Sequence, residues 1–139
     1  MKFIRRASAN WKGTGKEGLG TVSTQSKVLD ATKYGFKARF EDGPGTNPEE
    51  LIGAAHASCF TMKLSFVLNE MGFTADNIDT GAAVVFEDGK ITTINLKTSA
   101  TVPGITEEQF QEAATEAKNN CPISLLFNAE VTLEAALVA

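Results

Sequence analysis

Cys59 and Cys121 are the only cysteines among 139 residues. A thiolate is a strong nucleophile, and two thiols that can meet can carry an oxidising equivalent away as a disulfide. Cys59 falls inside a long apolar stretch of helical character, and Cys121 stands directly before Pro122. Burial raises a thiol pKa, so chemistry at Cys59 needs a cation or donor held against its sulfur. The dipole of its own helix cannot help about three turns in, because that effect is confined to the first turn. Arg39, permanently charged and one short loop before the helix, is the candidate cation. Glu49, at the second helical position, is the candidate to brace that guanidinium through a two-pronged pair, and the adjacent Glu50 is the competing partner. Cys121 takes an N-cap-like place beside Pro122, where helix amides favour a thiolate. Otherwise it has only to reach an oxidised Cys59, with Cα atoms within about 7 Å.

Each of these residues also has an ordinary reading. Cys59 can be an inert core cysteine, Arg39 a solvated arginine on a strand's polar face, and Glu49 an acid placed favourably at a helix start. His56, the only histidine, lies three residues before Cys59 on one helix surface, which allows a Cys-His acyl-transfer site. A lone histidine in an apolar helix is more often a core residue bonded to a carbonyl. Two cysteines and one histidine fall short of a zinc site. Gly13-Thr14-Gly15-Lys16-Glu17-Gly18 fits G-x-G-x-x-G, but strand-like Leu19-Gly20-Thr21-Val22 follows where a dinucleotide site needs a helix.

The elements that position these residues follow from patterning. Alternation marks strands over 3–12, 21–24 and 34–41, the third with Tyr34, Phe36, Ala38 and Phe40 on one face and Arg39 on the other. Asn47-Pro48-Glu49-Glu50 starts a helix: Asn47 caps, Pro48 suits the first position and Glu50 the capping-box position. That helix runs to about Met71, with Gly72 past its end, roughly 36 Å at 1.5 Å per residue. It is apolar nearly all round, so it must be covered on most sides, and a homodimer that shares the cover is the inference. Asp88-Gly89 is the turn of a hairpin over 79–102. Thr106-Glu107-Glu108-Gln109 opens a second helix, Pro122 a short third one through Phe127, and Val131 to Leu137 a last strand. The order β-β-β-α-β-β-α-α-β is an α+β fold, and the length suits one domain over 1–139.

Net charge is −4, which argues against nucleic acid or an acidic membrane surface as partner. The basic start at Met1–Arg6 is followed by no apolar signal core, and no stretch approaches the roughly 18 apolar residues of a membrane span. The expected location is the cytoplasm, where a cysteine pair is more often catalytic or redox-sensing than a structural staple.

Arg39-Phe40 and the run Gly45-Thr46-Asn47-Pro48-Glu49-Glu50-Leu51-Ile52-Gly53-Ala54-Ala55-His56-Ala57-Ser58-Cys59-Phe60 resemble the signature of the osmotically inducible protein C (OsmC) family. Asn119-Asn120-Cys121-Pro122-Ile123-Ser124 resembles its second cysteine motif, and Trp11-Lys12-Gly13 and Gly20-Thr21-Val22-Ser23-Thr24 match as well. The likeness covers nearly the whole chain and is closer to the OsmC branch than to the organic hydroperoxide resistance branch. It implies an intertwined homodimer of α+β fold, with a long buried central helix packed on antiparallel sheet and sites at the subunit interface. It implies a thiol peroxidase preferring organic hydroperoxides, with Cys59 as peroxidatic cysteine, Cys121 as resolving cysteine and Arg39 and Glu49 as the supporting pair. The same likeness implies a dithiol of lipoyl type as the reductant, with no metal, flavin or haem required. Phe60 and Met62 can line a pocket for an alkyl tail or serve as core. A thiol redox sensor or binding module without turnover is the competing reading.

Overall fold

Three strands, β1 (Ala7–Lys12), β2 (Leu19–Thr24) and β3 (Thr32–Tyr34), pair antiparallel in the order β1-β2-β3. Gly20 stands opposite both Trp11 and Tyr34, whose rings lie 5.5 Å apart, centre to centre. A Cβ at Gly20 would fall 2.6 Å from each ring. Overpacking of this kind costs about 1–3 kcal/mol. Gly20→Ala is therefore expected to lower the melting temperature by several degrees in a circular-dichroism scan. An unchanged melt would mean that the rings move aside freely.

The computed structural model describes residues 1–138. Its contacts group into two compact units, Met1–Leu51 and Ile52 onward.

The third strand ends earlier than alternation predicts. After Gly35, in extended conformation, Phe36–Phe40 forms a short helix, α1, so Arg39 stands on a helical turn and not on a strand. The ambiguity is physical. Phe36 and Phe40 share a face in a strand and, four residues apart, also share one in a helix. Here their rings meet at 5.0 Å.

Helix α2 (Pro48–Glu70) ends as its sequence requires. Gly72 takes a left-handed conformation (φ +91°), and the Phe73 amide donates back to the Leu68 carbonyl at 2.9 Å. Strands β4 (Asn77–Glu87) and β5 (Lys90–Thr101) form the expected hairpin. Its turn residues Asp88 and Gly89 both have positive φ, as a two-residue primed turn demands. Helix α3 (Glu107–Asn120) begins with a complete capping box between Thr106 and Gln109. Helix α4 (Pro122–Leu126) follows at once, and β6 (Glu130–Leu137) closes the chain of elements.

The second sheet has the order β4-β5-β6, and β6 runs parallel to β5. The sheet is thus mixed where a wholly antiparallel one was expected. A parallel neighbour needs a long crossover, and α3 with α4 supplies it. The class is α+β, as expected, with one more short helix in the order.

The core of this unit joins Phe60, Leu64 and Leu68 of α2, Ile94 and Leu96 of β5, Phe110 and Ala117 of α3, and Cys121. The buried side of α2 carries Gly53, His56, Phe60, Leu64, Val67 and Leu68. Its other side is open in the single chain, with Met62 64% and Phe66 59% exposed. The expected burial of this helix therefore holds for one face. By length and hydropathy alone α2 is also sufficient to cross a membrane, contrary to the sequence reading. Its packed inner face and the polar His56, Ser58, Thr61, Lys63 and Ser65 fit a core helix better.

Candidate active site

The arginine–carboxylate pair is built by the cap of α2. The Asn47 side-chain oxygen accepts from the Glu50 amide at 2.8 Å. The Glu50 carboxylate in turn accepts from the Thr46 hydroxyl at 2.8 Å and from the Asn47 side-chain amide at 3.4 Å. Glu50 is thus engaged in the cap, which leaves Glu49 for the arginine. Arg39 donates from Nε to both Glu49 oxygens, at 3.0 and 3.2 Å, and from one terminal nitrogen to Oε1 at 2.8 Å. The Glu49 side chain is 15% exposed and that of Arg39 39%. A guanidinium held at two nitrogens has a fixed plane and direction, which a single-point contact would not give it.

The two thiols meet in the second unit. Cys121 is fully buried at the joint where α3 ends and α4 begins, capping α4 without a side-chain hydrogen bond. Cys59, on α2, is partly exposed, and both cysteines are free. Burial pushes the Cys59 thiol above its ordinary range, and its hydrogen bond and charge contact with Cys121 push the same way. Two groups oppose them: the Ile123 amide, which donates to the sulfur, and the positive charge of Lys63. The groups that favour the Cys59 thiolate here thus belong to residues that the sequence did not single out. Lys63 was detectable, since it stands four residues after Cys59 on one helix face. The Ile123 amide is a backbone group without a side-chain signature. Pro122 at the start of α4 leaves it among the first-turn amides that lack a partner within the helix.

An open recess of about 540 Å³ leads to Cys59, lined by Met62, Lys63, Phe66, Pro122 and Ile123 among others. Met62 is on its wall, whereas Phe60 is wholly in the core. Such a recess suits a small molecule with an apolar part and a polar reacting end. His56 is fully buried and bonds the Ser124 hydroxyl, not a carbonyl.

An α+β fold with two free thiols in contact at a helix joint defines a thiol-based redox protein. The profile of the OsmC-like protein family matches residues 41–136. The chain is 48% identical over 141 residues to Peroxiredoxin OsmC of Escherichia coli (strain K12), across 99% of each chain. It is 29% identical over 125 residues to the organic hydroperoxide resistance protein OhrB of Bacillus subtilis (strain 168), covering 83% of this chain and 88% of that one. The crystal structure of OhrB superposes with a TM-score of 0.65 at 25% identity, over 96% of this chain and 98% of the other. The OsmC-like protein from Mycoplasma pneumoniae has the same fold at 13% identity, with a TM-score of 0.77 over 100% of both chains. This chain belongs to the OsmC-like protein family.

Proposed function

We propose that this chain reduces organic hydroperoxides to alcohols, and hydrogen peroxide less well, through a sulfenic acid on Cys59 and a Cys59–Cys121 disulfide that an external dithiol reopens. It is a thiol-dependent peroxidase, an oxidoreductase, in a family whose members include a peroxiredoxin and organic hydroperoxide resistance proteins. The observation that carries the finer reading is that Cys59 lines a largely apolar recess and has the fully buried Cys121 as its immediate thiol neighbour.

The chemistry balances in three steps. The Cys59 thiolate attacks the terminal peroxide oxygen, and the O–O bond breaks. The alkoxide leaves, takes a proton and becomes the alcohol, and Cys59 becomes a sulfenic acid. The Cys121 thiol displaces the hydroxyl from that sulfur, which releases water and forms the disulfide. A dithiol, of lipoyl type in this reading, then exchanges with the disulfide, delivers two electrons and two protons that restore both protein thiols, and leaves as its own disulfide. The burial that raises the Cys59 thiol must be offset before the first step. We assign that role to Arg39, braced by Glu49, within a homodimer that also covers Met62 and Phe66. A cytoplasmic location suits a pair of free thiols.

The test is a peptide map of reduced protein treated with one equivalent of cumene hydroperoxide, run without reductant. The expected product is one Cys59–Cys121 disulfide per cumyl alcohol, reopened by dihydrolipoamide with continued turnover. A disulfide that no dithiol recycles would favour the sensor reading. No disulfide at all would end the proposal.

A further inference from the structure

The only histidine in the chain is fully buried on α2, one turn before Cys59. Its Nε2 lies 2.7 Å from the Ser124 hydroxyl of α4, and its ring meets Phe127 edge-on at 5.6 Å. Its Nδ1 is buried without a hydrogen-bond partner among the described residues. That orphaned nitrogen decides the chemistry. A histidine serving as base to a serine or cysteine needs a group on its second nitrogen to steady the imidazolium. None is present, and burial pushes the His56 pKa down, so the charged ring is disfavoured twice. The neutral ring has one good arrangement: Nε2–H donates to Ser124, and Nδ1 keeps a bare lone pair, which is tolerated better than a stranded N–H.

The value of that bond lies in what else α4 carries. Ile123, the residue before Ser124, lines the same recess as Cys59, its amide favours the Cys59 thiolate, and Cys121 is the N-cap of the same helix. α4 is five residues long, has no side-chain cap, and leaves Leu125 and Leu126 about 70% exposed. So short a helix does not hold itself in place. We propose that His56 is a positioning residue: its hydrogen bond to Ser124 fixes α4 against α2 and so aims the Ile123 amide and the Cys121 thiol at Cys59. This rests on the reading of Cys59 as the nucleophile.

The test is the pH dependence of iodoacetamide alkylation, quantified on the Cys59 peptide of the reduced full chain. It is paired with the rate of disulfide closure after one equivalent of cumene hydroperoxide. Ser124→Ala removes one oxygen at a half-buried position and should fold. It is expected to move the alkylation midpoint up by about half to one pH unit, because the thiolate loses a well-aimed donor. It should also slow closure about tenfold. His56→Leu should behave alike, and His56→Gln, whose amide can donate from nearly the same place, should recover most of both. Ser124→Ala with the wild-type midpoint and closure rate would overturn the inference, even if it melted lower, because the bond would then be structural only. Alkylation needs no peroxide, so this outcome is distinct from a failure of the peroxidase reading, in which wild type itself forms no disulfide.

Discussion

Cys59→Ser reduces cumene hydroperoxide turnover to the uncatalysed background, a loss of at least about 10³-fold, while the chain folds as before. The size follows from the role: removing a nucleophile removes the covalent intermediate, and neighbouring groups cannot replace it. A serine hydroxyl is isosteric at a partly exposed site, so stability should change little. Cys121→Ser should give a different phenotype. The first oxidation survives, and a sulfenic acid on Cys59 is trapped by dimedone, but no intramolecular disulfide forms and turnover stalls. Reversal of the two phenotypes, with dimedone labelling Cys121, would exchange the roles. Turnover that survives Cys59→Ser would remove Cys59 from the mechanism.

The second large effect is expected at the arginine. Arg39→Met should lower kcat/KM about 10²-fold, the scale on which removing one well-placed charge stabiliser acts. The loss should fall on the chemical step, with the Cys59 alkylation midpoint shifted upward in parallel. Arg39→Lys should not restore activity. The guanidinium is held through Nε and a terminal nitrogen together, and an ammonium has one point of attachment and no plane to orient. Glu49→Gln should cost about tenfold by loosening that hold. Glu50→Ala should act on the melting temperature instead, because Glu50 belongs to the α2 cap. Wild-type rates in Arg39→Met would leave Lys63 as the cation that matters.

Most of the fold was legible because its signals are local. The Asn47 cap, the Asp88-Gly89 turn, the Thr106 capping box and the Pro122 break each rest on the chemistry of two to four neighbouring residues. The structure shows each in place. What could not be read was of two kinds. Phe36–Phe40 satisfies the strand and helix periods at once, so Arg39 was set on the wrong element. The parallel pairing of β6 with β5 is a relation between distant segments, and the pattern of either strand alone is the same for both directions. At the site, the competition between Glu49 and Glu50 followed from cap chemistry. The Ile123 amide could not be foreseen, because it acts through the backbone and any residue there would offer the same N–H.

α2 has apolar residues on nearly every side, so hydrophobicity gives it little reason to prefer one angle of rotation about its own axis. Each residue of slippage would turn Cys59 by about 100°. A row of hydroxyls supplies the missing phase. Thr61 of α2 bonds Thr80 of β4 at 2.7 Å, Thr80 lies 3.0 Å from Thr98 of β5, and Thr98 donates to the Asp79 carbonyl at 3.0 Å. Gly53 of α2 faces Val84 and Ala82 of the same strand. Polar contacts of this kind add little net free energy but exclude the alternatives that would leave hydroxyls stranded. They act as a keyway for the helix, setting which of its many similar faces carries the thiol toward Cys121.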